Sequence, residues 1–158
     1  MKKIIPYHGA GILFWTNDDN GQLSVLLGKR SINPGKGKWS IPGGGWSKYS
    51  DGYDKRNRPN YLQAAIRETN EESKYAIKSP EDLDTLWCCH IPYFHFEVYS
   101  CYLPMQIEFT HNREFLEVDW FPVEALPEPY VWFLTWQVSA LKNRNKKDRK
   151  SRCSGEDA

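Results

Sequence analysis

Apolar residues along this chain group into stretches short enough for strands, and in two places recur with a helical period. Residues 4–15 are apolar and β-prone, and Asn17-Asp18-Asp19-Asn20-Gly21 is a run of turn formers. Leu23 to Leu27 is apolar again, so the chain is predicted to open with a β-hairpin. Asn33 to Lys38, with Pro34, Gly35 and Gly37, reads as a loop. Trp39-Ser40-Ile41-Pro42 is short and extended, because proline disfavours helix in the residue before it. Gly43-Gly44-Gly45 follows, where the backbone can turn or approach a ligand closely. Residues 46–58 are polar, show no period and read as an exposed loop.

Pro59 can open a helix. Leu62, Ala65, Ile66 and Thr69 recur at i, i+3, i+4 and i+7, which predicts an amphipathic helix reaching about Ser73. Strand-like stretches follow at 84–91, 93–103, 105–109 and 115–121. Pro127 to about Lys142 is predicted as a closing helix, with Val131, Leu134, Val138 and Leu141 on one side. Strands surrounding two helices imply an α+β fold, a mixed sheet with a helix on each face. Repeats and a linker are absent, so residues 1–141 are expected to form a single domain.

Composition narrows the class. The length of 158 residues suits one core, and a hydrophobic fraction of 40% with 15% aromatics excludes a disordered chain. The apolar runs are all much shorter than the roughly 20 residues that cross a membrane. The basic start, Met1-Lys2-Lys3-Ile4-Ile5-Pro6, lacks the apolar stretch and cleavage site of a signal peptide. Cys88 and Cys89 are adjacent, Cys101 and Cys153 stand alone, and Cys/His metal spacing is absent, so a reducing, cytoplasmic setting is expected. His8, His90, His95 and His111 read as packing or surface residues. The net charge of +1 conceals a basic end. Residues 142–158 hold Lys142, Arg144, Lys146, Lys147, Arg149, Lys150 and Arg152 against Asp148, Glu156 and Asp157. This segment reads as a flexible, solvated tail, with nucleic-acid contact as the alternative.

The helix at 60–73 carries the candidate chemistry. In Arg67-Glu68-Thr69-Asn70-Glu71-Glu72, a rotation of about 100° per residue puts Glu68, Glu71 and Glu72 on one stripe beside the apolar one. Three like charges there repel, and they stand near the helix C-terminal end, where the dipole disfavours anions. A hard divalent cation reverses both penalties, and Mg²⁺ prefers carboxylate oxygens. From spacing alone, the same stripe also reads as a solvated helix face, since Glu is a good helix former.

Gly37-x-Trp39-x-x-Pro42-Gly43-Gly44 followed by the 67–72 motif resembles the Nudix hydrolase family, with Gly44 as the opening glycine of its box. Leu26-Leu27-Gly28-Lys29-Arg30 is similar to the family's strand ending in basic residues, and Glu114 to Phe121 to its late strand ending in a Trp-Phe pair. Leu126-Pro127 resembles the turn into its last helix. Four departures stand out. Ser50 occupies the position of a usual glutamate six residues after the opening glycine. The path from Gly44 to Arg67 is longer than usual, which makes 46–58 an insertion. Lys74 stands where a glycine is usual, and Thr69 where an aliphatic is.

The resemblance implies an α/β/α sandwich with a curved mixed sheet. It also implies metal-dependent cleavage of a phosphoanhydride in a nucleoside diphosphate linked to another group, with Mg²⁺ or Mn²⁺ as cofactor. Glu68, Glu71 and Glu72 match the family's metal ligands, and a backbone carbonyl at Gly43 or Gly44 is a further candidate. Glu68 or Glu114 is expected to act as base, and Arg67 to orient a box glutamate. Lys29, Arg30, Arg56 and Arg58 are expected to meet phosphates, and Tyr130, Trp132 and Trp136 are candidates for a base pocket, though such residues also serve as core. The expected partner is a small nucleotide-like molecule. The alternatives are a nucleotide sensor without catalysis, or a protein that binds or hydrolyses RNA 5′ ends, on the same fold.

Overall fold

In a computed structural model of the protein, the described residues are 2–72, 77–109 and 113–155, with the side chains of Glu72 and Cys153 outside that description. Its elements are β1 (Tyr7–Asn17), β2 (Leu23–Arg30), β3 (Trp39–Ser40), β4 (Gly43–Gly45), α1 (Tyr61–Glu72), β5 (Asp84–Ile91), β6 (Phe94–Tyr102), β7 (Phe115–Pro122) and α2 (Leu134–Gly155). The opening hairpin turns where the Asp18 carboxylate accepts the backbone N–H groups of Asn20 and Gln22, at 2.9 and 2.8 Å. Gly21 supplies the left-handed residue of that turn, with φ 74°.

The strands form one mixed sheet ordered β3-β2-β1-β6-β5, with β4 joined to β1 and β7 to β2. β1 runs parallel to β6, and the other pairings are antiparallel. Side chains of β1 alternate between two cores. Ala10, Ile12 and Phe14 pack beneath α1 with Tyr61, Ala64 and Ala65, while Leu13 packs with Leu134, Val138 and Leu141 of α2. The sheet is therefore covered on both faces, as the sequence implied. No helix among the described residues is long and apolar enough to cross a membrane.

Several boundaries differ from expectation. Residues 105–109 are not a strand; Ile107 and Phe109 pack into the α1-side core, and Trp120 Nε1 donates to the Ile107 carbonyl at 2.8 Å. The closing helix begins at Leu134, not at Pro127. The chain before it is held extended against β3, with Trp39 N–H donating to Pro129 O at 2.9 Å and Val131 N–H to Trp39 O at 3.0 Å. Pro127 and Pro129 have no N–H to give a helix. At its other end, α2 continues through the basic segment to Gly155. Lys142 pairs with Glu124 at 2.7 Å and Arg144 donates to the Ser100 hydroxyl at 2.9 Å, so the first turn of the expected tail is attached to the body.

The 46–58 segment is not a plain solvated loop. Trp46 Nε1 donates to the Gly52 carbonyl at 2.8 Å, Tyr53 bridges to Pro59, and Asp51 is buried.

Candidate active site

Three glycines bring the sheet close to the helix. Gly43, Gly44 and Gly45 pair with Gly11, Ala10 and Gly9 of β1. A Cβ on Gly43 would fall 2.4 Å from Ala10 O, so the backbones themselves need that glycine. A Cβ on Gly44 would fall 2.5 Å from Cδ and Oε2 of Glu68. Gly44 thus makes room for a carboxylate. Helix α1, begun where Asn60 Oδ1 accepts the Gln63 N–H at 3.1 Å, carries Glu68 to that place.

Arg67 organises the acids around it. Its Nε and Nη2 donate to Asp51 at 2.8 and 3.0 Å, and Nη2 also donates to the Gly45 carbonyl at 2.8 Å. Nη1 donates to Glu68 at 2.9 Å and lies 3.3 Å from Glu71. The planar guanidinium therefore ties the insertion, β4 and the acidic stripe of α1 to one point. Hydrogen bonding to Asp51 makes Arg67 hold its proton more firmly than usual, with Glu68 adding to the effect.

The acids differ in setting. The Asp51 side chain has no exposed surface and also accepts the Ser47 N–H at 2.8 Å. Glu68 is 14% exposed, while Glu71 is 59% exposed. Burial pushes the Glu68 carboxyl above the usual carboxylate range, Arg67 opposes that, and the charges of Glu71 and Glu114 add to it. Glu114 is half-buried and within electrostatic reach of Glu68, and its carbonyl accepts the Ser31 N–H at 2.8 Å. A divalent cation suits this donor set: a half-buried carboxylate with a raised proton affinity, seated on a glycine cradle that a Cβ would fill, with a second carboxylate outward. Among the described residues, no three His, Cys, Asp or Glu side chains converge into a ready cage. The Glu72 side chain and Lys74 lie outside the described residues.

The basic candidates separate into two groups. Lys29 and Arg30 end β2 on the Glu114 side: Lys29 lies 4.0 Å from Glu117, and Arg30 Nε donates to Pro34 O at 2.7 Å. Arg58 is on the other side, paired through Nε and Nη2 with Asp54 at 3.1 and 2.9 Å, and its charge is felt at Tyr61 and Tyr99. Arg56 is exposed, and its N–H donates to Asp54 at 2.8 Å. Trp132 and Trp136 form an exposed aromatic group with Phe133 and Trp87, over the α2 face. Tyr130 sits apart from them, bridged to Trp39 beside β3.

Sequence reasoning passed over Asp51. It looked for an acid at Ser50, and the acid that meets Arg67 is the next residue.

A family model described as NUDIX domain matches residues 7–141. The chain belongs to the Nudix family. That family comprises hydrolases of phosphoric anhydrides, and the resemblance first read from Gly44 and Arg67 to Glu72 extends over most of this Nudix chain. No curated protein matches it. Among solved structures, the NUDIX domain of Shewanella oneidensis NrtR, crystallised with ADP ribose, is 19% identical with a TM-score of 0.69, covering 91% of this chain and 90% of that one. A Caenorhabditis elegans Ap4A hydrolase is 17% identical with a TM-score of 0.64, covering 89% and 98%. A MutT/nudix family protein from Enterococcus faecalis is 21% identical with a TM-score of 0.62, covering 77% of this chain and 46% of its own, so this chain spans about half of that protein. At these identities the likeness is one of fold.

Proposed function

We propose that this chain hydrolyses a phosphoanhydride bond in a small nucleotide: a nucleoside triphosphate, a dinucleoside polyphosphate or a nucleoside diphosphate sugar. The carrying observation is the clamp in which Arg67 holds Glu68 over Gly44 and leaves Glu71 outward. One structural neighbour is crystallised with ADP ribose and another is an Ap4A hydrolase, and both molecules belong to the same chemical class.

Glu68, Glu71 and Glu72 would hold Mg²⁺ or Mn²⁺, with the Gly43 or Gly44 carbonyl beside them; bound there, the ion offsets phosphate charge and acidifies a water. Glu68, held by Arg67 at 2.9 Å, takes the proton of the attacking water. Glu114, close enough for its charge to act on Glu68, is the second candidate for that task. Arg67 fixes the Glu68 carboxylate and keeps its own charge. Lys29 and Arg30 meet the leaving phosphate, and Arg56 and Arg58 of the insertion contribute to binding. The intact acids favour this reading over a sensor without catalysis.

A panel of nucleotides tested with Mg²⁺ or Mn²⁺ decides it. Turnover of at least one member, abolished by Glu68→Gln in a protein of unchanged circular dichroism, is expected. No turnover of any member, or full turnover by that variant, would overturn the reading.

A further inference from the structure

Three of the histidines that looked scattered in sequence, His8, His90 and His95, meet on the α1 face of the sheet, and His111 lies outside the described residues. His8 of β1 is paired in register with His95 of β6, and His95 with His90 of β5. His8 and His95 stack with ring centres 4.8 Å apart and planes 9° apart. His90 Nδ1 lies 3.0 Å from His95 Nδ1, and His90 Nε2 lies 3.1 Å from a Glu97 oxygen. The other Glu97 oxygen accepts the Tyr99 hydroxyl at 2.9 Å. His8 Nδ1 reaches the buried Tyr61 hydroxyl at 2.7 Å, so the cluster grips the first turn of α1. Trp46 stands edge-on to His8, and the Asp54–Arg58 pair faces Tyr61 and Glu97 from the insertion.

Hydrogen-bond arithmetic limits the charge this group can take. Between two ring nitrogens 3.0 Å apart there is room for one hydrogen. With His90 Nε2–H given to Glu97 and His95 Nδ1–H given to His90, every contact is made by neutral rings. One added proton on His90 is balanced by Glu97. A further proton on His95 sets two N–H groups face to face, and one on His8 lies against the His95 ring.

We propose that His8, His90, His95 and Glu97 form a proton-sensitive clasp, which fastens the first turn of α1 to the sheet at neutral pH and releases it in mild acid. Tyr61 begins the helix that carries Glu68 seven residues on, ~10 Å along its axis, so the clasp acts on the acidic stripe as a positioning device. Burial, then the neighbouring His95 and His90, holds the His8 imidazole below its ordinary value of 6.5. The folded chain thus binds that proton less readily than the unfolded one. The stability from His8 is complete above 6.5 and is lost as pH falls below it.

Hydrogen-exchange protection of the amides of Ala64, Ala65, Ile66 and Arg67, at pH 7.5 and 5.5, tests this in the full chain without metal. Wild type is expected to lose about tenfold protection in acid, the worth of one pH unit of differential protonation. His90→Gln with His95→Gln should lose less, because the neighbouring rings are gone while the burial of His8 remains. Tyr61→Phe removes one oxygen and keeps the ring; it should show the lowered protection already at pH 7.5 and little further change. In proton NMR, the His8 midpoint should lie below 6.5 and rise in His95→Gln. Constant protection in wild type, or an equal acid loss in the double variant or in Tyr61→Phe, would overturn the clasp.

Discussion

Arg67 and Asp51 meet through two hydrogen bonds, Nε to Oδ1 at 2.8 Å and Nη2 to Oδ2 at 3.0 Å, on a carboxylate with no exposed side-chain surface. Removing Asp51 takes the partner from two Arg67 N–H groups on a mostly buried guanidinium that keeps its bonds to Glu68 and the Gly45 carbonyl, which costs about 1–3 kcal/mol. Asp51→Ala should therefore lower the urea midpoint strongly and reduce turnover with it. Ser50→Glu added to Asp51→Ala should not restore either, because Ser50 is exposed. Recovery in the double variant would show that the loop can slip by one residue.

The neighbouring glycines should fail in different ways. Gly43→Ala drives a methyl into the backbone of β1 at 2.4 Å from Ala10 O, so thermal unfolding should show a clear loss of stability. Gly44→Ala meets only the end of the Glu68 side chain, which can move aside. Its melting temperature should stay near wild type while kcat falls at least tenfold. Equal melting temperatures for the two variants would contradict the separate roles given to these positions.

Glu68 is expected to cost the metal-free fold stability when it is ionised. Its carboxyl is pushed up by burial, so the folded state favours its protonated form; that favourable contribution is present in acid and is lost as pH rises through the raised folded value. At pH 7.5 in chelator, Glu68→Gln should melt higher than wild type while its turnover is lost. The gain should vanish toward pH 4. A variant less stable than wild type at neutral pH would place the cost elsewhere.

How much of this arrangement could be read from the sequence depended on the range of the interaction. Glu68, Glu71 and Glu72 share a helical stripe, a local property, and α1 appears at Tyr61–Glu72 as its period predicted. The glycine run met the helix as the family resemblance implied. Asp51 was hidden because an insertion changes spacing without changing which carboxylate the folded loop buries. His8, His90 and His95 were unreadable as a group, since the β5–β6 hairpin joins His90 to His95 and only the parallel register of β1 on β6 adds His8 from far along the chain. The end of the last helix was misplaced because charge was taken as a sign of fraying, while Lys and Arg are good helix formers.

The continuation of α2 also makes a truncation informative. Cutting after Asn143 removes Arg144 and its 2.9 Å bond to the Ser100 hydroxyl, and keeps Lys142 with Glu124. Stability should drop by about 1 kcal/mol, the worth of one hydrogen bond, and specific activity on small nucleotides should stay within a few-fold. A large loss of activity in a folded protein would place residues 144–158 in the substrate path.

The parallel pairing of β1 with β6 has a consequence for how the chain leaves the ribosome. Nine register positions join Tyr7–Trp15 to Phe94–Tyr102, so the central strand must wait for a partner made much later. Contacts so distant along the chain slow folding and leave apolar surface open meanwhile. The opening hairpin emerges with Ile12, Leu13 and Phe14 uncovered. Nascent chains halted before Phe94 should stay protease-sensitive and engage chaperones, and those halted well beyond Pro122 should resist digestion. The order of synthesis thus sets a long vulnerable interval for a small enzyme.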